Sequence, residues 1–259
     1  MESGFRTPLL DFFRRGEVAR DVKLVAAQGA LAPRAHEQLG LLVLLVSDDD
    51  PEIATTAEFT LAAIPRESLT AFLARSDAPT ELVEFFRNRG IEPADTPAPS
   101  ADEPIIDTEP EPARTPEEEE EEEDNQSVTQ RLAQMNVPER LKRATKGTRE
   151  ERSILIRDPN KLIATAVLSS PKLTSAEVEA ISKMANVSEE ILRIIAMNRS
   201  WIKNYNVVWS LTKNPKTPVQ LSMNLLSRLA EKDLQKLSTD RNVPDILRIT
   251  ARKKLVLDK

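Results

Sequence analysis

The chain has 259 residues, of which 40% are hydrophobic and 30% charged, so it can form one large or two modest folded domains. It contains no cysteine, one histidine and six glycines that stand singly along the sequence. These counts exclude disulfides, zinc–thiolate sites and the usual glycine-rich phosphate loops. We therefore expect no enzyme activity, no catalytic or metal site, no cofactor and no small-molecule substrate.

The N-terminus lacks the basic and apolar stretches of a signal peptide. The longest apolar run, residues 41–46, is far shorter than the roughly 20 residues needed to cross a bilayer. These features predict a cytoplasmic protein that does not associate with membranes.

Charge is distributed very unevenly along the chain. The net charge is −4 over residues 1–90, −14 over residues 91–126 and +12 over residues 127–259. Blocks of opposite charge often mark segments with different interactions. We therefore predict an N-terminal domain (1–90), a linker (91–126) and a basic C-terminal domain (127–259).

Apolar residues recur at helical spacing through the N-terminal domain. The pattern predicts six short helices and no strand: 8–15, 17–30, 33–46, 51–63, 67–74 and 79–88. Asp48, Asp49 and Asp50 directly precede Pro51, which is typical of a helix start. The same carboxylates could ligate Mg²⁺ or Ca²⁺, but their spacing does not match a calcium loop, so a capping loop is the better interpretation.

The linker holds seven of the 18 prolines and an unbroken run of glutamates at residues 117–123. Dense like charge with few apolar residues predicts disorder. Because this acidic segment precedes a basic domain, we also consider that it docks on that domain and masks it until a partner displaces it.

The C-terminal domain repeats itself. Asp158-Pro159-Asn160 recurs as Asn198-Arg199-Ser200 after 40 residues and as Asp240-Arg241-Asn242 after a further 42. The pattern predicts ten helices: 127–135, 137–146, 148–157, 161–169, 175–184, 188–197, 201–212, 218–229, 231–237 and 244–255. A period near forty is typical of a helical solenoid. We therefore predict an all-α fold: an α-solenoid in two modules joined by the disordered acidic linker.

These turns, together with Asn214-Pro215-Lys216-Thr217-Pro218, resemble those of the HEAT-like and leucine-rich-variant families of bacterial helical repeats. The C-terminal block is also similar to a family of uncharacterised bacterial proteins, over roughly residues 127–256. The resemblance implies an α-solenoid that binds through a curved surface. It implies no catalytic residue.

Two functions from different classes fit the sequence. The first is a non-catalytic protein–protein scaffold or adaptor, whose candidate partner-binding residues are Trp201, Lys203, Asn204, Lys213, Asn214 and Lys216. The alternative is nucleic-acid binding through a basic patch formed by Arg140, Lys142, Arg143, Lys146, Arg149 and Arg152.

Trp201, Tyr205 and Trp209 recur at every fourth position, on one face of the predicted helix 201–212. Such a stripe could stack on nucleotide bases or anchor a peptide. Core packing against a neighbouring helix is the simpler interpretation of an apolar stripe.

Overall fold

The computed structural model describes residues 7–32, 34–97, 105 and 128–257. These residues form sixteen α-helices and no strand, so the predicted all-α class is confirmed. The glutamate run at 117–123 lies outside the described residues.

The chain divides into two compact units at Lys172/Leu173. The helices of unit 1 are α1 (Pro8–Arg14), α2 (Arg20–Ala27), α3 (Ala35–Leu45), α4 (Pro51–Ala63), α5 (Arg66–Leu73), α6 (Thr80–Arg87), α7 (Val128–Gln134), α8 (Val137–Lys146), α9 (Arg149–Leu155) and α10 (Lys161–Ser169). The helices of unit 2 are α11 (Ser175–Lys183), α12 (Glu189–Met197), α13 (Tyr205–Lys213), α14 (Val219–Leu226), α15 (Glu231–Thr239) and α16 (Asp245–Leu257).

Helices from both sides of the predicted linker build the core of unit 1. Helix α1 packs on α3 and α10, and α2 packs on α8. Leu9, Leu39 and Ile163 are completely buried. The sequence placed the division between folded parts in 91–126, whereas the compact units meet at residue 172, because the pairing of α1 with α10 leaves no local mark on the sequence.

Part of the predicted linker is held against unit 1. Residues 91–97 are described, and the Ala94 backbone N–H donates to the Thr70 carbonyl at 3.0 Å. Ile105 is also described, and its backbone N–H donates to the Gln38 side chain at 2.9 Å. These residues differ from the predicted disorder, and the remainder of the linker lies outside the described residues.

The repeated sequence turns share one local structure. In each, an Asp or Asn side-chain oxygen near the end of a helix accepts the backbone N–H two residues later, at 2.8–3.1 Å. The accepting residues are Asp48, Asp158, Asn198, Asn214 and Asp240. Such Asx turns stop one helix and redirect the chain into the next. In the first of them, the predicted capping role of Asp50 at α4 is confirmed.

Within unit 2, helices α11, α13 and α15 lie side by side in a parallel row. At their C-terminal ends, Asn214 contacts the last turn of α11, and Lys213 pairs with Asp240 at the end of α15. At the N-terminal end, the Tyr205 hydroxyl contacts Asp233 and Ala230 at the start of α15. Helix α14 packs on α13, while α16 packs on α14 and α15.

Glu37 of α3 places a carboxyl group in the core of unit 1. Its side chain is buried, and its Oε2 atom has no hydrogen-bond partner among the described residues. Burial raises the pKa of this carboxyl, and the nearby Thr7 hydroxyl and Arg34 guanidinium oppose that change only in part. The raised pKa means that the fold disfavours the charged form.

We expect Glu37→Gln to increase the free energy of unfolding at neutral pH by on the order of 1 kcal/mol, because it removes a buried charge. The wild-type penalty is absent below the ordinary glutamate pKa and develops as pH rises through the raised one. The difference between the two proteins should therefore vanish as pH falls. Urea titrations of both proteins from neutral pH down to the ordinary glutamate pKa test the prediction. A difference in the free energy of unfolding that stays the same at every pH would contradict it.

Candidate functional site

Two of the six candidate partner-binding residues hold the fold together instead of facing solvent. Asn214 is buried, and its side-chain amide donates to the Ser182 and Met184 carbonyls, both at 2.9 Å. Asn204 caps α13, its side-chain oxygen accepting the Asn206 N–H at 2.9 Å. Asn214 therefore uses its amide nitrogen, and Asn204 its side-chain oxygen, in hydrogen bonds within the protein.

The other four candidates lie towards the two ends of α13. Lys203 and the partly buried Trp201 belong to a 3₁₀ turn, Trp201–Lys203, that precedes this helix. Lys213 and Lys216 are exposed at the opposite end. Because the helix has nine residues, the two groups are separated by roughly 14 Å.

The same 3₁₀ turn separates Trp201 from the predicted aromatic stripe. The sequence predicted one helix over 201–212, but the Asn204 cap starts α13 only at Tyr205. Trp201 therefore lies outside the helix that carries Tyr205 and Trp209. Tyr205 is 40% exposed and Trp209 is partly buried, which differs from the core packing that the sequence favoured.

Tyr205 and Trp209 are held in place on the surface of unit 2. The Tyr205 hydroxyl donates to Asp233 Oδ2 at 2.6 Å and accepts the Ala230 N–H at 3.1 Å. Burial and the Asp233 hydrogen bond raise the pKa of this hydroxyl. Two ammonium groups lie over the Trp209 ring, with Lys213 Nζ at 5.6 Å and Lys236 Nζ at 5.9 Å from its centroid. We call Tyr205, Trp209, Lys213 and Lys236 the aromatic–lysine surface.

Aspartates balance the charge of this surface. Lys213 pairs with Asp240 at 3.0 Å, and Lys236 pairs with Asp233 at 2.8 Å. Each lysine lowers the pKa of its aspartate. The surface therefore offers fixed aromatic rings among paired charges of both signs, not a concentration of positive charge.

Three of the six basic-patch residues are engaged inside unit 1. Arg140 pairs with Asp158 at 2.6 Å, and Arg143 lies 3.5 Å from the buried Glu151. Arg152 is 4% exposed and donates to the Gly147 and Lys172 carbonyls at 2.8 and 3.3 Å.

Exposure does not follow this division. Arg143 and Arg149 are exposed, whereas Arg140, Lys142 and Lys146 are partly buried. Helices α8 and α9 consequently present fewer accessible cations than their sequence indicates.

Sequence reasoning missed an apolar surface on the adjacent helices α14 and α16. Val219 and Met223 are each 37% exposed on α14, and Ile246 and Ile249 are about half exposed on α16. Their helical spacing is visible in the sequence, but it is the same spacing that predicts core packing. Only the packing of the helices shows that this stripe is accessible.

The described residues contain no group of three or more acidic or histidine side chains placed to hold a metal ion. Within the same ranges, none of the helices has the length and apolarity to cross a bilayer.

A scan against protein-family models gives no match, and searches of curated proteins and solved structures find no significant similarity. The resemblance to HEAT-like repeats therefore stays a prediction.

Proposed function

We propose that this chain is a non-catalytic protein–protein interaction scaffold built on helical repeats. The parallel row α11–α13–α15, with α12, α14 and α16 interleaved in the sequence, supports a solenoid arrangement in unit 2. The observation that carries the functional proposal is the aromatic–lysine surface. Aromatic side chains that are already ordered lose little entropy on binding and commonly anchor protein partners.

The charge pairing favours a protein over a nucleic acid at this surface. Binding to a phosphate backbone gains affinity by releasing counterions as lysines neutralise phosphates. Here the lysines beside Trp209 are already paired with Asp233 and Asp240, so a phosphate would have to compete with those carboxylates. A protein partner can use the aromatic rings and both signs of charge.

Nucleic-acid binding remains a second candidate because other cations of unit 2 are free. Seven exposed basic side chains of unit 2 make no hydrogen bond or ion pair in the part of the chain that the structure describes. They are Arg199, Lys203, Lys216, Arg228, Lys232, Arg241 and Lys253. Three of these lie in the Asx turns, where a polyanion could reach them.

Capture from cell lysate by the tagged full-length chain, with and without nuclease, tests the proposal. We expect a defined set of proteins to survive nuclease and to be lost with Trp209→Ala. Met197→Ala is the control, because it removes an exposed apolar side chain of unit 2 outside the aromatic–lysine surface. Thermal melts of both variants check that they remain folded.

Capture that disappears with nuclease would establish the nucleic-acid function instead. Capture that survives nuclease but does not respond to Trp209→Ala would contradict the assigned surface.

A further inference from the structure

Ile105 occupies a groove in unit 1. Its backbone N–H donates to Gln38 Oε1 at 2.9 Å, and its side chain is partly buried. Ile105 lines a cavity of about 400 Å³ together with Gln28, Phe59, Thr60, Ala63, Ile64 and Pro65. The free volume beside Ile105 exceeds that of one side chain, so the groove can hold more than this residue.

The groove is built from two helix ends. Gln28 caps the C-terminus of α2, while Phe59, Thr60 and Ala63 lie in the last turns of α4. Phe59 is 76% exposed and adds an aromatic ring to the lining of the groove. The walls are therefore largely apolar and open to solvent on one side.

Gln38 supplies a main-chain recognition point for Ile105. Its side chain is 1% exposed, and its Nε2 donates to the Gly29 carbonyl at 2.7 Å. This bond fixes the orientation of the amide and aims Oε1 at the Ile105 N–H. A buried acceptor needs a donor, and a peptide N–H in the groove provides one.

We propose that this groove is a peptide-binding site whose occupant is the chain's own segment centred on Ile105. The recognised chemistry is one backbone N–H for Gln38 together with an aliphatic side chain. In the sequence that side chain lies within Asp102-Glu103-Pro104-Ile105-Ile106-Asp107, between proline and carboxylates. A partner peptide of the same chemistry would compete for the groove. This inference does not depend on the function proposed for unit 2.

Tethering gives the native occupant an advantage over a free peptide. A segment that belongs to the same chain as its site binds intramolecularly, which commonly corresponds to an effective concentration in the millimolar range. A free peptide should therefore bind weakly to the wild-type chain and much better to a chain whose own Ile105 cannot enter the groove.

The test uses a fluorescent peptide with the sequence of residues 101–109, titrated into the full-length chain and followed by anisotropy. We expect Ile105→Asp to bind it at least about tenfold more tightly than the wild type. Adding Phe59→Ala to Ile105→Asp should abolish this gain. Val256→Ala, at a comparably exposed apolar position in unit 2, should leave it unchanged.

Because Phe59 and Ile105 are not core residues, these variants are expected to fold, and thermal melts check this. A peptide carrying aspartate in place of Ile105 should not bind. Absence of binding to the Ile105→Asp chain would overturn the proposal. So would equal binding to the wild type and Ile105→Asp, or binding that is insensitive to Phe59→Ala.

Discussion

Asn214→Ala is expected to lower the free energy of unfolding of unit 2 by about 3 kcal/mol. The Asn214 amide donates to two carbonyls at the end of α11, and its oxygen accepts the Lys216 N–H. Alanine removes all three hydrogen bonds and leaves the carbonyls without this donor in a buried place. Both tryptophans lie in unit 2, so urea titration followed by tryptophan fluorescence reports the effect directly.

Asn198→Ala is the matched control for this prediction. Asn198 makes the equivalent Asx turn after α12, but within the described ranges its amide donates no hydrogen bond to a neighbouring helix. Its replacement by alanine should lower the free energy of unfolding by only about 1 kcal/mol. Asn214→Asp, which keeps the turn acceptor and loses the donors, should be nearly as damaging as alanine. If Asn214→Ala and Asn198→Ala lowered the free energy of unfolding equally, the hydrogen bonds from Asn214 to α11 would not have the stabilising role assigned to them.

Arg152→Ala is expected to destabilise unit 1 by a similar amount, about 3 kcal/mol, although the sequence placed Arg152 in a nucleic-acid patch. Its guanidinium is buried and donates to the Gly147 and Lys172 carbonyls. These two hydrogen bonds join the turn after α8 to the segment after α10. Alanine leaves a cavity and removes donors from both carbonyls. Urea titration followed by far-ultraviolet circular dichroism measures the change, since unit 1 contains no tryptophan.

Arg149→Ala provides the comparison for Arg152→Ala. Arg149 lies on the same helix and is exposed, so its removal should change stability by less than about 0.5 kcal/mol. Arg152→Lys keeps a charge but lacks the forked geometry, and we expect it to recover only part of the loss. An Arg152→Ala protein as stable as the Arg149→Ala protein would show that Arg152 is not a structural residue.

The all-α fold could be predicted because its signals are local. Apolar spacing, helix-starting prolines and Asp or Asn caps predicted sixteen helices, and the described residues contain sixteen. The main difference is at Trp201, where an Asn204 cap divided a predicted helix. Ser200 and Asn204 could each cap the start of this helix. The hydrogen bond of Tyr205 to Asp233 on α15 favours the start at Asn204.

The candidate site was less predictable because hydrogen-bond partners lie on other helices. Nothing near Asn214 in the sequence reveals Ser182, and nothing near Lys213 reveals Asp240. The predicted set of binding residues therefore combined the buried Asn214, which links two helices, with the exposed Lys213 and Lys216. The groove at Ile105 combines residues from α2, α3 and α4, and no local pattern marks it.

The most direct test of the proposed scaffold compares two charge-reversed variants of the full-length chain in the nuclease-treated capture experiment. Lys203→Glu/Lys216→Glu changes unpaired cations at the two ends of α13, on either side of Trp209. Arg228→Glu/Lys253→Glu makes the same change in net charge at residues after α14 and on α16.

If the partner binds along α13, the first variant captures about tenfold less protein and the second captures the wild-type amount, with both melting as the wild type does. Undiminished capture by the Lys203→Glu/Lys216→Glu chain, or an equal loss in both variants, would contradict the account.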